Sequence, residues 1–470
     1  MGRHKKNKTS PLIKYLFTSM LIITAVALGL IKFIDIFPGK YFTILVGVFV
    51  IICFVLSCFL FNRKPILKIL GGLTTTAYMF IMIIAIVYEL NTIDFLKKIG
   101  ESEYSTLNYS VLVLEKSNVN KLSDLKNEKM GLVEDNFDAV SSMLNKKVNV
   151  KYEKYDFYTE LTDKLQKEQI KAIVIEDSLL DILRDENLDV VNKSKVIDKF
   201  SVDVKQKDIK KKVNVTKKPF NIYISGIDTY GKINSVSRSD VNMVLTVNPK
   251  KKTILITSIP RDYFVKLHGY DEYDKLTHAG IYGVNTSVKT VEDIFGIKIN
   301  YYVKVNFTSL VKIVDTIDGI DVNSKYAFIS QDGYKFNEGK NHLNGKEALS
   351  FTRERKNLPD GDRSRVENHQ EVLSAIINKS LNKNILSKYN SLIKSLKPSM
   401  VTNFTNSEIT SFIKMQLKHN YDWKIEYVSL DGTDGYEYTY SYPKNKLYVM
   451  IPSSESVEDA INKINENMKK

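Results

Sequence analysis

Three long apolar runs open the chain and decide most of what can follow: Tyr15–Ile31, Tyr41–Phe61 and Ile69–Val87. Each is near the roughly 20 residues that a helix needs to cross a hydrocarbon core. The second run carries no charge. The first, short and flanked by Lys14 and Lys32, would by itself also suit a signal peptide. Two further runs follow it, however, with no obvious small-residue cleavage site. Residues 1–94 are thus read as a membrane domain of three transmembrane helices, at about 15–31, 41–61 and 69–87.

Charge sets the expected orientation. Arg3, Lys5, Lys6, Lys8 and Lys14 precede the first run, and Arg63, Lys64 and Lys68 separate the second from the third. Between the first and second lie only Lys32 and Lys40, alongside Asp35. The positive-inside rule then makes the N-terminus cytoplasmic and, with an odd number of spans, places the C-terminal domains outside the cell membrane. The formal net charge is +14; residues 1–94 hold 10 Lys+Arg against 3 Asp+Glu, leaving 58 against 51, so each part has a surplus of 7. The external part is only mildly basic, which argues against a nucleic-acid partner. Cys53 and Cys58 both fall in the second run, so the external part has no disulfide and must rely on ordinary cores.

Residues 95–200 read as a small α/β accessory domain. Tyr109–Leu114, Lys129–Val133, Val148–Tyr152 and Ala172–Ile175 are predicted strands, and Tyr158–Gln169 is a predicted helix with Leu161 and Leu165 on one face. Residues 201–219 are Lys-rich and read as a linker or connecting strand. The main domain spans 220–470. Asn221–Ser225, Met243–Val247, Thr253–Ile259, Tyr301–Val305, Lys424–Leu430 and Leu447–Ile451 are predicted strands. Helices are expected over Val284–Phe295, Thr308–Ile317 with Gly319 as its C-cap, Val366–Leu381, Ser407–Leu417 and from Glu455 onward. Strands interleaved with helices predict an α/β fold, a mixed central β-sheet flanked by helices.

The chemistry concentrates in Thr352–Gln370, TRERKNLPDGDRSRVENHQ. Only nine of the 68 Lys+Arg are Arg, and Arg353, Arg355, Arg363 and Arg365 all lie here. Arg presents a planar fork of donors that grips phosphate or carboxylate oxygens bidentately and keeps its proton. A phosphate-bearing ligand is the expectation. Upstream, Asp228 follows a strand, and Arg238, Ser239 and Asp240 precede the next; two carboxylates beside an Arg suit Mg²⁺, which takes one or two carboxylates plus phosphate and water oxygens. A capping role for Asp228 and pairing of Asp240 with Arg238 is the alternative. Arg261 and Asp262 project after Pro260, and Lys275, Thr277, His278 and Tyr282 precede a helix. His278 by itself reads as a structural histidine. The chain has no GxxxxGK[ST], strand-linked GxGxxG, HExxH or GxSxG motif, and its six His are scattered. ATP hydrolysis, hydride transfer, zinc hydrolysis and triad esterase chemistry all lose weight.

Read in series, GIDTYG…SRSDVNMVLTVNP, ITSIPRD, KLTHAG and ALSFTRERKNLPDGDRSRVENHQEVL resemble the LytR–CpsA–Psr family over about 220–383. Three spans and an accessory module resemble its capsule-type branch; KLSDLKNEKMGLVED and LTDKLQKEQIKAIVIED equally resemble lobes of solute-binding domains. The resemblance implies a membrane-anchored phosphotransferase. It would move a glycan phosphate, capsular or teichoic-acid-like, from a polyprenyl-pyrophosphate carrier to peptidoglycan outside a Gram-positive membrane, with pyrophosphatase activity on the side. It implies Mg²⁺ or Mn²⁺ on Asp228 and Asp240, and pyrophosphate binding by Arg238, Arg261, Lys275, Arg353, Arg355 and Arg365. His369 stands where many members carry Gln; on a helix it shares a face with Arg365, while Gln370, also a candidate ligand, points about 100° away. Arg363 falls at a variable position and is left outside the site. The catalytic candidates are Asp240, Arg261, Asp262, Arg353 and Arg355, with Asp262 or Asp240 as general base. The competing readings are a non-catalytic regulator that binds lipid-linked glycan and docks capsule export proteins, and a transcriptional attenuator. The attenuator is disfavoured by a cytoplasmic face too small for a DNA-reading fold.

Overall fold

Three helices carry the apolar runs: α1 (Pro11–Ile34), α2 (Gly39–Leu60) and α3 (Pro65–Ile99). All three are long and apolar enough to cross a membrane, α3 over Pro65–Ile93. The computed structural model describes residues 10–34, 39–99, 104–134, 136–185, 189–205, 208–227, 233, 236–382 and 400–469, without the side chains of 94–99, 185 and 406. Thr24 of α1 and Tyr78 of α3 share a hydrogen bond of 2.9 Å, the kind of polar link that fastens helices in lipid.

The accessory module is built from β1 (Tyr104–Leu114), β2 (Lys129–Val133), α4 (Phe137–Asn145), β3 (Lys151–Tyr155), α5 (Tyr158–Gln166), β4 (Ala172–Glu176), α6 (Asp177–Asp185), the short α7 (Asp189–Asn192) and β5 (Ser194–Lys205). Its five-stranded sheet runs β3-β2-β4-β1-β5. The predicted third strand shifts from Val148–Tyr152 to Lys151–Tyr155, because Val148 and Val150 are buried in the approach to the strand instead. The first residues of the predicted linker continue β5, whose alternating Val202 and Val204 pair along β1. The remainder is not free either. Asn300 donates from its side chain to the Lys211 carbonyl at 2.8 Å, and the Lys211 ammonium pairs with Glu292.

The main domain continues with β6 (Phe220–Ile227), β7 (Ser239–Asn248), β8 (Thr253–Ile259), β9 (Phe264–Lys266), β10 (Tyr273–Lys275), a 3₁₀ turn (Leu276–Tyr282), α8 (Val284–Phe295), β11 (Tyr301–Asn306) and α9 (Phe307–Thr316). Then come β12 (Ile320–Ser324), β13 (Phe328–Ile329), β14 (Lys335–Phe336), β15 (Gly339–Leu343), α10 (Gly345–Arg353) and α11 (Asp362–Leu381). The last elements are β16 (Met400–Thr402), α12 (Asn406–His419), β17 (Lys424–Ser429), β18 (Gly432–Thr439), β19 (Tyr442–Pro452) and α13 (Ser454–Met468). The predicted Val284–Phe295 and Thr253–Ile259 appear with those boundaries. Gly319 ends the α9 region as expected: it takes φ 72°, a left-handed value that favours glycine, and donates to the Val314 carbonyl at 2.9 Å.

The central sheet runs β16-β11-β6-β7-β8-β17, with β11/β6 and β8/β17 parallel and the other neighbours antiparallel. Its middle strands are buried along almost their whole length, with the apolar runs 243–245 and 254–256 at their centres. One core packs Tyr223, Val244, Leu255 and Ile259 of the sheet against Val288, Val291 and Phe295 of α8 and Ala460 and Ile464 of α13. The accessory and main domains form one compact unit, and α12, expected in the main domain, groups with α1–α3 in the other.

Where β11 gives way to α9, Asn306 accepts from the Ser309 amide at 3.0 Å and caps the helix. Asn306→Ala should lower stability by about 1 kcal/mol, read as a fall in thermal midpoint at unchanged secondary structure.

Candidate active site

Strand register gathers the predicted residues at one end of the central sheet. Asn242 of β7 lies opposite Ile259 of β8, so the start of β7 and the end of β8 meet there. Ile227, the end of β6, pairs with Ser239 and with Asn306 at the end of β11. Ser429, the end of β17, lies beside Ser258. Strand ends in an open α/β sheet are where binding crevices form.

Asp240 enters this end on β7. Its Oδ1 accepts from Arg261 Nη1 at 3.2 Å and from Thr277 Oγ1 at 3.1 Å. Arg261 follows Pro260, which lacks the N–H that would extend the ladder of β8. Arg261 Nε also stands 3.4 Å from Asp262 Oδ2, and Lys275 Nζ stands 3.3 Å from Asp262 Oδ1. All four side chains are at most 22% exposed, so their charges act through a medium that screens poorly. Burial by itself would raise the Asp240 carboxyl. The charges of Arg261, Arg238 and Arg365, with the Arg261 hydrogen bond, instead hold it below its usual value. Burial would likewise lower the Arg261 pKa, and the Asp240, Asp262 and Asp362 charges raise it.

α11 begins at Asp362, four residues before the predicted Val366, which brings Arg365 onto its first turn. Arg365 Nη2 pairs with Asp362 Oδ1 at 2.5 Å. Burial, the largest effect, lowers the Arg365 pKa; the nearby cations Arg261 and Arg355 reinforce it and the Asp362 and Asp240 charges oppose it. The cations Arg238, Arg261, Lys275, Arg355 and Arg365 therefore outnumber the carboxylates Asp240, Asp262 and Asp362 around one point. Arg261 Nε and Arg365 Nε are buried without a hydrogen-bond partner among the described residues. Both guanidinium groups have carboxylate neighbours, but a buried N–H left without an acceptor is costly and suits an anionic ligand.

The remaining candidates divide. Arg355 is exposed and makes no side-chain hydrogen bond or ion pair with a described residue. Arg353 ends α10, exposed, with its guanidinium 4.8 Å from the Phe307 ring centre and apart from the Asp240 contacts. His369 lies one turn along α11 from Arg365. Burial, then the Arg365 charge, pushes its pKa down to about 3 against a hydrogen bond with the Thr352 backbone. Gln370 does not face this cluster: its amide donates to Ser258 Oγ and Ser429 Oγ, each at 2.9 Å, and fastens α11 to β8 and β17. Arg363 turns outward to Asp431 Oδ1 at 2.9 Å and the Gly432 carbonyl at 3.1 Å. Asp228 lies outside the described residues.

Two residues that bear on the site escaped the sequence reading. Asp362 had a signal, since it precedes Arg365 by three, but the helix was started too late. Tyr448 had none: β19 brings it to 6.0 Å from Lys275 Nζ, and its hydroxyl donates to Asp434 at 2.9 Å. His278 is structural, as expected, with Nδ1 2.6 Å from Asp274 Oδ1 and 2.7 Å from Ser441 Oγ, all buried. That network fixes both ends of the segment that carries Lys275 and Thr277.

No trio of His, Cys, Asp or Glu among the described residues is grouped to hold a metal. Mg²⁺ does not require one when substrate phosphates complete its shell. Asp240 fits such an ion: it is kept ionised, and its Oδ2 accepts from no described donor.

The chain matches the model of the LytR_cpsA_psr family over residues 188–464. It belongs to the LytR–CpsA–Psr family. Among its family relatives, a polyisoprenyl-teichoic acid–peptidoglycan teichoic acid transferase, TagU of Bacillus subtilis, is 36% identical over 271 residues, 57% of this chain and 84% of TagU. The TagU of Enterococcus faecalis is 35% identical over 253 residues, 52% of this chain and 82% of that protein. The solved structure of B. subtilis TagV is similar over 54% of this chain and 98% of that one, at 30% identity and a TM-score of 0.46.

Two predictions test this family member's site. Unfolded His titrates near about 6.5, and folded His369 near 3. The unfolded chain alone binds this proton between those values, so stability falls as pH drops through that window. His369→Gln should flatten the acid limb of a thermal-midpoint-versus-pH curve and preserve activity. At Gly280, an added Cβ would stand 2.6 Å from the Ser237 carbonyl oxygen and 2.8 Å from the Ser239 amide. Gly280→Ala should cost about 1–3 kcal/mol of stability by overpacking and reduce activity, because the turn carrying Thr277 must move off β7.

Proposed function

We propose that this chain transfers a phosphate-linked glycan polymer, teichoic-acid-like or capsular, from a polyprenyl-pyrophosphate carrier to peptidoglycan. The single observation that carries this reading is the excess of Arg and Lys charge gathered around Asp240 at the sheet end. That arrangement suits a ligand with several phosphate oxygens, and the TagU relatives are named for such a transfer. The positive charge before α1 and between α2 and α3 supports a cytoplasmic N-terminus and an external transferase unit.

An acceptor hydroxyl oxygen attacks the phosphorus that bears the glycan. A new P–O bond forms as the bond to the bridging pyrophosphate oxygen breaks, and polyprenyl phosphate departs with that electron pair. Phosphoryl transfer of this type depends mainly on positioning and charge stabilisation. Arg261 and Arg365, already oriented by Asp240 and Asp362, meet the phosphate oxygens with little reorganisation. Lys275 and Arg238 add charge beside Asp262 and Asp240, Arg355 approaches from the solvent side, and Arg353 stands at the margin. His369 is neutral at physiological pH, so it can offer a hydrogen bond without adding to the cation crowd, as a Gln would. Asp240, held below its usual pKa, is a poor proton acceptor, which leaves Asp262 to receive the acceptor hydroxyl's proton. A bound Mg²⁺ or Mn²⁺, held by Asp240 with Asp228 as its companion in sequence, would supply further neutralisation of the pyrophosphate.

Arg355→Gln provides the clean test because the Arg355 side chain makes no hydrogen bond with a described residue. Transfer from polyprenyl-pyrophosphoryl glycan to peptidoglycan by the full detergent-solubilised chain should fall on the order of 10²-fold at unchanged thermal midpoint. Equal transfer by the variant would remove the phosphate cluster from the chemistry.

A further inference from the structure

β18 and β19 form a two-stranded ribbon outside the central sheet, and its outer face is rich in tyrosine. Asp434 and Tyr436 alternate along β18 and so share one face, Tyr436 lies directly across from Tyr448, and Tyr438, at a register shift in the ladder, stays by this face beside Lys446. Tyr436 is 65% exposed and Tyr438 56%, an unusual cost for rings of that size. The rings are ordered relative to one another: Tyr436 meets Tyr448 edge-on at 6.1 Å, and Lys446 Nζ stands 5.7 Å from the Tyr438 ring centre.

The ribbon is anchored to the active site. The Met450 amide donates to the Asp262 carbonyl at 2.7 Å, and the Tyr440 amide to the Tyr273 carbonyl at 3.0 Å. Arg363 holds Asp431 and the Gly432 carbonyl from α11. Tyr448 joins the two surfaces, with Lys275 on one side and Asp434 on the other. The tyrosine face therefore starts beside the carboxylate assigned to the acceptor's proton and leads away from it.

We propose that this face binds the acceptor glycan, an uncharged chain of amino-sugar rings, and delivers its hydroxyl to the Asp262 side of the site. The inference rests on the transferase reading above. Pyranose rings present apolar C–H faces that stack on tyrosine, and their hydroxyls and amides match Tyr hydroxyls, Asp434 and Lys446. Tyr supplies such contact area with little conformational entropy to lose. The ribbon offers no surplus positive charge to the alternative occupant, a phosphate-rich donor polymer: Lys446 Nζ pairs with Glu437 at 3.3 Å, and Arg363 lies 4.0 Å from Asp434. A membrane surface fits less well, since the face interleaves a carboxylate with tyrosine and carries no aliphatic cluster.

The test uses the full detergent-solubilised chain and a β-1,4-linked N-acetylglucosamine hexamer followed by calorimetric titration. Tyr436→Thr/Tyr438→Thr keeps strand-forming residues at both exposed positions. Saturable binding by the parent, weakened at least 10-fold in the double variant and retained in Arg355→Gln, is the expected result. In transfer assays the double variant should raise the KM for acceptor and leave kcat at saturating acceptor unchanged. Absence of binding by the parent, or equal binding by the double variant, overturns the assignment. So does a change in oligomeric state alone, or protection of these tyrosines by lipid nanodiscs with no response to the hexamer. Hexamer binding by a chain that transfers nothing would leave the glycan face standing and remove the transferase reading. Normal transfer with no hexamer effect would do the reverse.

Discussion

The ion pair between Arg261 and Asp240 holds the site together. It joins a residue just after the end of β8 to the start of β7, just beyond the last paired residues of the two strands, and Thr277 locks the 3₁₀ turn onto the same carboxylate oxygen. A largely buried pair of this kind adds little net stability, but removing one partner leaves the other charge stranded. Here the stranding would spread. Arg261 also faces Asp262, Asp262 faces Lys275, and Arg365 feels both members of the pair. The cluster therefore behaves as a unit whose members cannot be altered independently.

Local pattern made much of the fold legible. Thr253–Ile259 and Val284–Phe295 have periodicity and flanking breakers that agree with their tertiary setting, and they appear as read. The membrane helices needed only length and apolar content. What stayed hidden depended on partners distant in sequence. The last residues of β5, from 201 to 205, look like the start of a Lys-rich linker until their alternating valines meet β1. α12 has ordinary amphipathic spacing, and nothing in that spacing says that it groups with α1–α3. The late start given to α11 concealed Asp362, because the PDGD turn before it reads as loop.

The site shows the same division. Arg concentration marked Thr352–Gln370, and dipeptides after strands marked Arg261–Asp262. Helix geometry put His369 on the face of Arg365 and Gln370 about 100° away, but both stayed candidates because sequence does not say which direction meets the site. Direction is decisive: Gln370 points at Ser258 and Ser429 inside the fold, and His369 points toward Arg365. Arg363 shows the converse, a charged residue in the right stretch that is occupied by the ribbon's Asp431.

The accessory module and the main domain share hydrophobic packing. Ile281 and the ribbon residues Tyr442 and Leu447 sit in one cluster with Leu161, Leu165, Leu180 and Val190 of the module. Ile281 belongs to the same 3₁₀ turn that carries Thr277, and Lys444 reaches Asp163 at 2.8 Å. A module that reads in the sequence as a separate accessory domain is thus a structural buttress. Without the module, Ile281, Tyr442 and Leu447 would lose the apolar partners that cover them, so the underside of the ribbon in this chain is built for a neighbour.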